Sequence, residues 1–273
     1  MPKILINDYE IKVKGVKRKV IYHVSDVHLT LFDKESTPEE ITLAKKQSEG
    51  WQGTRHDFAQ RFSELCPENE SFSSLEHFNC ILEKVNEDGD MLVLTGDIFD
   101  YISPAHVRFF EKTFKDLKIP YIFAPGNHEV AQEIPDGSYM AKIKAPYQSL
   151  CQDDVTFIAI DDSKKEIDDT IIEGIKRELS LGKPIVIAMH TPFIFEGTRE
   201  FSLCGEYFRL NYTGAPEKIN EFLELLREND DKIIAVLAGH IHCKSESRIT
   251  ENLTQYTASQ GILCNVNRYV IGE

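Results

Sequence analysis

The chain has 273 residues, and its 45 acidic against 31 basic side chains leave a formal net charge of −14. Hydrophobic residues make up 41% and charged residues 28%, the mix of an ordinary globular protein, which excludes global disorder. No apolar run approaches the roughly 18 to 20 residues that span a bilayer, and the acidic balance speaks against a broad nucleic-acid footprint, which needs Lys and Arg on phosphates. Residues 1–19 alternate charged and apolar side chains without the continuous apolar stretch of a signal peptide, so a cytoplasmic location is expected. The six cysteines show no Cys-x-x-Cys spacing and read as reduced, packed thiols. No repeat or linker composition divides the chain, so a single domain over residues 1–273 is expected.

Along the chain, short apolar runs alternate with segments of helical period. The first run is 20–24, and the polar stretch 31–67 behind it, with Trp51, Phe58 and Phe62 embedded, reads as an insertion. Leu75, Phe78, Leu82 and Val85 then recur at three- and four-residue spacing, as an amphipathic helix requires. A run at 91–94 precedes Ser103-Pro104, an N-cap with a first-turn proline, after which Val107, Phe110, Phe114 and Leu117 line one face. Runs at 121–123 and 155–160 lead to a helix carrying Ile171, Ile172, Ile175 and Leu179, and then to a run at 185–189. The stretch 191–215 is aromatic and without period; it suits a binding loop or a small packed subcluster equally. Behind Pro216, Ile219, Phe222, Leu223 and Leu226 make another helix, 233–238 is the last run, and 247–270 reads as closing antiparallel strands. Val- and Ile-rich runs suit strands buried on both faces, and their alternation with helices predicts an α/β layered fold.

Nearly every run ends in a polar cluster. The first ends in Ser25-Asp26-Val27-His28, the second in Gly96-Asp97-Ile98-Phe99-Asp100 and the third in Gly126-Asn127-His128-Glu129. His190 follows the fifth, and Gly239-His240-Ile241-His242 the sixth. Ligand sites in open α/β sheets lie outside the carboxyl ends of the strands, so Asp, His and Asn converge on one sheet edge. Such donors, with no thiolate among them, suit Mn²⁺, Fe²⁺ or Zn²⁺ better than a structural Cys-rich site. Asp26-x-His28 and His240-x-His242 place two side chains on one face if extended, or splay them towards two ions if the backbone turns. Seven candidate ligands exceed one tetrahedral ion but suit two ions about 3.5 to 4 Å apart. Two such cations against Asp26 and Asp97 leave a local charge of +4 − 2 = +2, enough to draw a phosphate ester to an acidic protein.

Asp-x-His, Gly-Asp-x-x-Asp, Gly-Asn-His-Glu, His and Gly-His-x-His occur complete and in order from Asp26 to His242, and together they resemble the calcineurin-like metallophosphoesterase superfamily. The resemblance implies a layered β-sandwich flanked by helices, with the metal site at the strand ends. It implies one ion on Asp26, His28, Asp97 and His242, and a second on Asp97, Asn127, His190 and His240. His128 is similar to the family's non-ligand histidine beside the leaving group, and Asp100 to the carboxylate that pairs with it. The implied activity is hydrolysis of a small phosphorylated substrate, a monoester or diester. In the mechanism this implies, the two ions would lower the pKa of a bound water and neutralise charge on the phosphoryl oxygens, and His128 would protonate the leaving oxygen. Tyr101 stands where the protein Ser/Thr phosphatase branch carries arginine, which speaks against that branch. The alternative is a non-catalytic metal-binding scaffold of the same fold, and intact metal positions disfavour it. A nuclease would want a basic groove, which the charge does not offer.

Other residues carry plainer expectations. Asp100 could instead cap the helix entered at Pro104. Glu129 reads as surface or outer support, Asp161-Asp162 as a solvated face, and His23 as a packed core histidine. His56, His77 and His106 read as solvated or capping, and Cys243 as a packed thiol. Arg55, Arg199, Arg209 and Arg268 could each clamp a phosphate, with nothing to single one out.

Overall fold

The computed structural model describes residues 1–61, 66–130 and 133–273, so Phe62 lies outside the described residues. The strands are β1 (Leu5–Ile11), β2 (Lys19–Val24), β3 (Met91–Thr95), β4 (Tyr121–Ala124), β5 (Tyr147–Gln152) and β6 (Val155–Ile160), then β7 (Ile185–Ala188), β8 (Ile233–Ala238), β9 (Ser245–Arg248), β10 (Thr254–Thr257) and β11 (Asn265–Ile271). The helices are α1 (Pro38–Arg61), α2 (Ser74–Asp88), α3 (Pro104–Lys115), α4 (Asn127–Val130), α5 (Asp169–Ser180), α6 (Arg199–Leu203) and α7 (Glu217–Glu228). None of the described helices is long and apolar enough to cross a membrane.

One sheet has the order β1-β11-β2-β3-β4 and the other β5-β6-β7-β8-β10-β9. Parallel pairing runs through β2-β3-β4 and through β6-β7-β8-β10. The sheets pack face to face through Ile21, Val93 and Ile122 on one side and Phe157, Val186 and Leu237 on the other. Helices α2 and α3 cover the first sheet's outer face through Phe78, Phe110 and Phe114; α5 and α7 cover the second through Ile171, Ile175 and Phe222. The result is an α/β sandwich flanked by helices. Every side chain of β3 and β6 is buried, which is why these strands read as continuous apolar runs. Local signals fix the helix starts: Ser73 and Glu76 form a reciprocal capping box on α2, and Ser103 caps α3.

The structure corrects one expectation and adds elements in two regions that the sequence reading left without them. Strands β1 and β5 carry no continuous apolar run, because each lies at a sheet edge where most of its side chains are only partly buried. The C-terminal strands are not simply antiparallel: β9 is antiparallel to β10, but β10 runs parallel to β8, and β11 runs antiparallel to β2 and parallel to β1. Most of the 31–67 stretch is the 24-residue helix α1, which buries only Ala44, Arg55 and Ala59 and so shows no apolar stripe. Its start was nonetheless written in Thr37-Pro38-Glu39-Glu40: Glu40 N–H donates to Thr37 Oγ1 at 3.2 Å, and Thr37 N–H to Glu40 Oε2 at 2.7 Å.

Candidate metal centre

Parallel register brings the carboxyl ends of β2, β3 and β4 to one edge, with Val24 opposite Leu94 and Leu94 opposite Phe123. The turns beyond them are tied together: Asp26 N–H donates to the Gly96 carbonyl at 3.0 Å and His28 N–H to the Asp97 carbonyl at 2.9 Å. From the second sheet, Gly239 N–H donates to the His190 carbonyl at 2.9 Å and aligns the ends of β7 and β8. Asp26, His28, Asp97, His240 and His242 all have φ between +48° and +69°. Asp and His tolerate this left-handed region better than most residues, yet each such position costs of order 1–3 kcal/mol and persists only when its surroundings dictate it. Gly96, at φ +83°, leaves room that a Cβ would take from Nδ1 of His190.

Two clusters of donor atoms result. In the first, Nε2 of His242 lies 3.1 Å from Oδ1 of Asp26 and 3.1 Å from Nε2 of His28. In the second, Nε2 of His190 lies 3.3 Å from Oδ2 of Asp97, 3.2 Å from Oδ1 of Asn127 and 3.1 Å from Nδ1 of His240. Asp97 belongs to a group with His190 and His240 and also to a group with His28 and His128. Asp26 and His28 therefore converge, whereas His240 and His242 splay to different clusters.

The chemistry of these donors fits divalent cations. Ligands bound about 2.1 Å from one ion sit roughly 3.0 to 3.4 Å from one another, the spacing found here. Nδ1 of His190 is 2.7 Å from the Thr95 carbonyl; in the neutral ring it donates there and turns the Nε2 lone pair to the centre. Nε2 of His240 is buried without a hydrogen bond. Burial alone would raise the carboxyls of Asp26, Asp97 and Asp100, but the imidazoles facing them hold all three below the usual range, so they are ionised.

His128 stands apart. Its Nδ1 is 2.8 Å from the Asp100 carbonyl and 3.1 Å from Oδ1 of Asp100. Burial opposes the imidazolium, but the bond to Asp100 and the charge of Asp97 hold its pKa up to about 9. Asp100 also accepts from Nε1 of Trp51 at 2.8 Å; it is a partner of His128, and Ser103 is the cap of α3.

Of the supporting residues, the sequence reading left Glu129 open between surface and outer support and missed Asp162. Glu129 is not on the surface: it is fully buried and accepts from the backbone N–H groups of Asp97, Gly126 and Phe99 at 2.8 to 2.9 Å. Asp162 is likewise buried and accepts from His190 N–H and Thr191 N–H, both at 2.6 Å. Burial pushes its pKa up to about 6. It follows the end of β6, so the rule of polar strand ends could have found it. Trp51 of α1 stacks on His28 with ring centres 3.8 Å apart, and Phe58 meets His242 edge-on at 5.5 Å.

Histidines outside the motifs divide. His23 is a core residue, with Nε2 2.7 Å from Thr95 Oγ1, and His56 is exposed beside Glu70. His77 and His106 are fully buried rather than solvated; His106 links the Leu29 carbonyl to Ser103. Cys243 is buried against Ile194 and Ile241. Arg209 pairs with Glu206 and Arg268 with Asp8, Arg55 is a buried residue of α1, and Arg199 alone of the four lines the cavity over the candidate metal ligands.

That cavity measures about 760 Å³. Its floor is His28, Asp97, Asn127, His128, His240 and His242. The 191–215 stretch serves two purposes: Phe193 and Leu210 pack into the core behind the second sheet, while Tyr207 and Phe208 lie 6.2 and 5.5 Å from the His240 ring and form a wall.

A family model described as calcineurin-like phosphoesterase matches residues 19–244. A probable glycerophosphodiester phosphodiesterase from Arcobacter nitrofigilis is 34% identical over 59 residues, so the match spans 21% of this chain and 22% of that protein. A dimetal phosphatase from Danio rerio shares the fold, with a TM-score of 0.51 over 90% of this chain and 88% of that one at 11% identity. A Thermus thermophilus protein, TT1561, covers 90% and 91% with a TM-score of 0.48 at 10% identity.

Proposed function

The chain belongs to the calcineurin-like phosphoesterase family, and we propose that it hydrolyses a small phosphate ester at a centre of two divalent metal ions. One observation carries the reading: Asp97 is common to donor groups reaching towards both sides of the cavity floor, as a bridging ligand must be. Asp26, His28, Asp97 and His242 would hold one ion, and Asp97, Asn127, His190 and His240 the other. When bound, such ions supply Lewis acidity, lowering the pKa of a bound water and neutralising charge on phosphoryl oxygens.

The chain's own residues do the rest. Asp100 receives Nδ1 of His128 and fixes the ring, so Nε2 carries the proton that passes to the leaving oxygen; such help is worth roughly 10²- to 10⁴-fold in rate. Trp51 donates to Asp100 and covers the face of His28, which shields the centre from bulk water. Glu129 and Asp162 gather backbone N–H groups and hold the Asp97 and His190 turns in place.

The test is hydrolysis of 4-nitrophenyl phosphate and bis(4-nitrophenyl) phosphate by chelator-treated protein, before and after Mn²⁺ addition. Restored turnover is expected, and the ratio of the two rates sets the monoester or diester preference. Protein that binds two ions yet turns over neither ester would point to a scaffold or to a substrate too specific for generic esters.

A further inference from the structure

We infer that the cavity selects phosphate esters whose leaving group carries a ring or similar apolar body and, at its far end, a second negative charge held by Arg61 and Arg199. This rests on the phosphoesterase reading above and extends it to the substrate class.

Size comes first. About 760 Å³ lies in the range that accommodates an organic ligand of many heavy atoms, far more than a bare phosphate fills. The walls come second. Leu203, Tyr207 and Phe208 line the cavity with 58%, 66% and 39% of their surface open to solvent, and covering such a patch is favourable. Lys165 holds Tyr207 at the mouth, its Nζ 4.1 Å over the ring and donating to the Tyr207 carbonyl.

Charge decides the third element. The protein carries −14, yet among the described residues the charged side chains lining this cavity, apart from Asp97 and the histidines, are Arg61 in the last turn of α1 and Arg199 in the first turn of α6. Among the described residues neither guanidinium makes an ion pair, whereas Arg108, Arg227 and Arg268 each rest on a carboxylate. A guanidinium fork matches a carboxylate or phosphate in bidentate fashion. A purely apolar leaving group would leave both forks unmatched, and a bare phosphate would leave the rings uncovered. An ester with an apolar body and a distal anion matches both.

Phosphonates, which cannot be hydrolysed, test this by calorimetric binding to Mn²⁺-loaded protein. The series is methylphosphonate, benzyl- and biphenylmethylphosphonate, and the same two aryl compounds carrying a terminal carboxylate or a second phosphonate. Affinity should rise from methyl to aryl and again with the distal anion, and carboxylate against phosphonate identifies the preferred anion. The Arg61→Ala/Arg199→Ala double variant should lose the second increment, about ten- to a hundredfold, and the double Lys variant should recover part of it. Phe208→Ala should weaken every aryl ligand. Equal affinity with and without the distal anion at both lengths, or an increment that survives the double Ala variant, overturns the inference while leaving the phosphate site intact. If no phosphonate binds, the phosphoesterase reading falls first and takes this one with it.

Discussion

Among the candidate metal ligands at and just beneath the cavity floor, Asp26, His28, Asp97, His190 and His240 are all 7% exposed or less, and four of these five backbones are left-handed. The walls are the reverse: α1 rests on three buried side chains, and Tyr207 and Leu203 stand largely in solvent. A floor like this is over-determined. Two sheets, the glycine turns and the buried carboxylates of Glu129 and Asp162 each constrain it, so donor atoms are placed before any ion arrives. The walls hang on loosely buried elements where side chains can change at little cost to folding, which is where specificity for a leaving group is free to vary.

The contrast can be broken at its strongest point first. Asp97→Asn should cost about 10³-fold or more in kcat, since several kcal/mol of charge stabilisation depends on both ions, while circular dichroism stays native. His128→Ala should lower kcat by roughly 10²- to 10⁴-fold for alkyl phosphates and much less for 4-nitrophenyl esters, whose leaving group needs no proton. Glu129→Ala should separate positioning from chemistry. It leaves three backbone N–H groups buried and unsatisfied, so unfolding in urea should shift by about 3 kcal/mol or more, and metal affinity should fall with it.

Acid should act on the scaffold behind the floor. Burial lowers the pKa values of His77 and His106 to about 4 from 6.5, so between those values the unfolded chain binds more protons than the folded one. The contribution of these two histidines is full above pH 6.5 and falls as pH drops towards 4, by up to about 3 kcal/mol for each, while the raised pKa of buried Asp162 works in the opposite direction. Denaturation midpoints at pH 7 and pH 5 would show the slope, and His106→Gln should flatten part of it. The smallest effect belongs to the wall: Phe208→Ala should change stability by no more than about 0.5 kcal/mol.

Legibility followed the same division. The floor could be read because each candidate ligand sits where a buried strand ends, and buried strands announce themselves by composition: β2, β3, β7 and β8 are visible as apolar runs, and their terminal Asp and His residues with them. Asp162 was not, and Glu129 stayed open between surface and outer support, because a carboxylate that gathers backbone N–H groups has no periodicity; only its distance from a strand end marks it. The wall formed by α1 was hard to read for a third reason. Helix α1 packs Trp51 and Phe58 against His28 and His242 rather than along an apolar stripe, so the pattern that betrays most helices is absent, and only the Thr37–Glu40 capping box remained as a signal.

The most direct measurement is an anomalous difference map from crystals of the Mn²⁺-loaded protein. Two peaks about 3.5 to 4 Å apart are expected, flanking Asp97, one within coordination distance of Asp26, His28 and His242, the other of Asn127, His190 and His240. A single peak, or two peaks that do not share Asp97, would contradict the dinuclear centre.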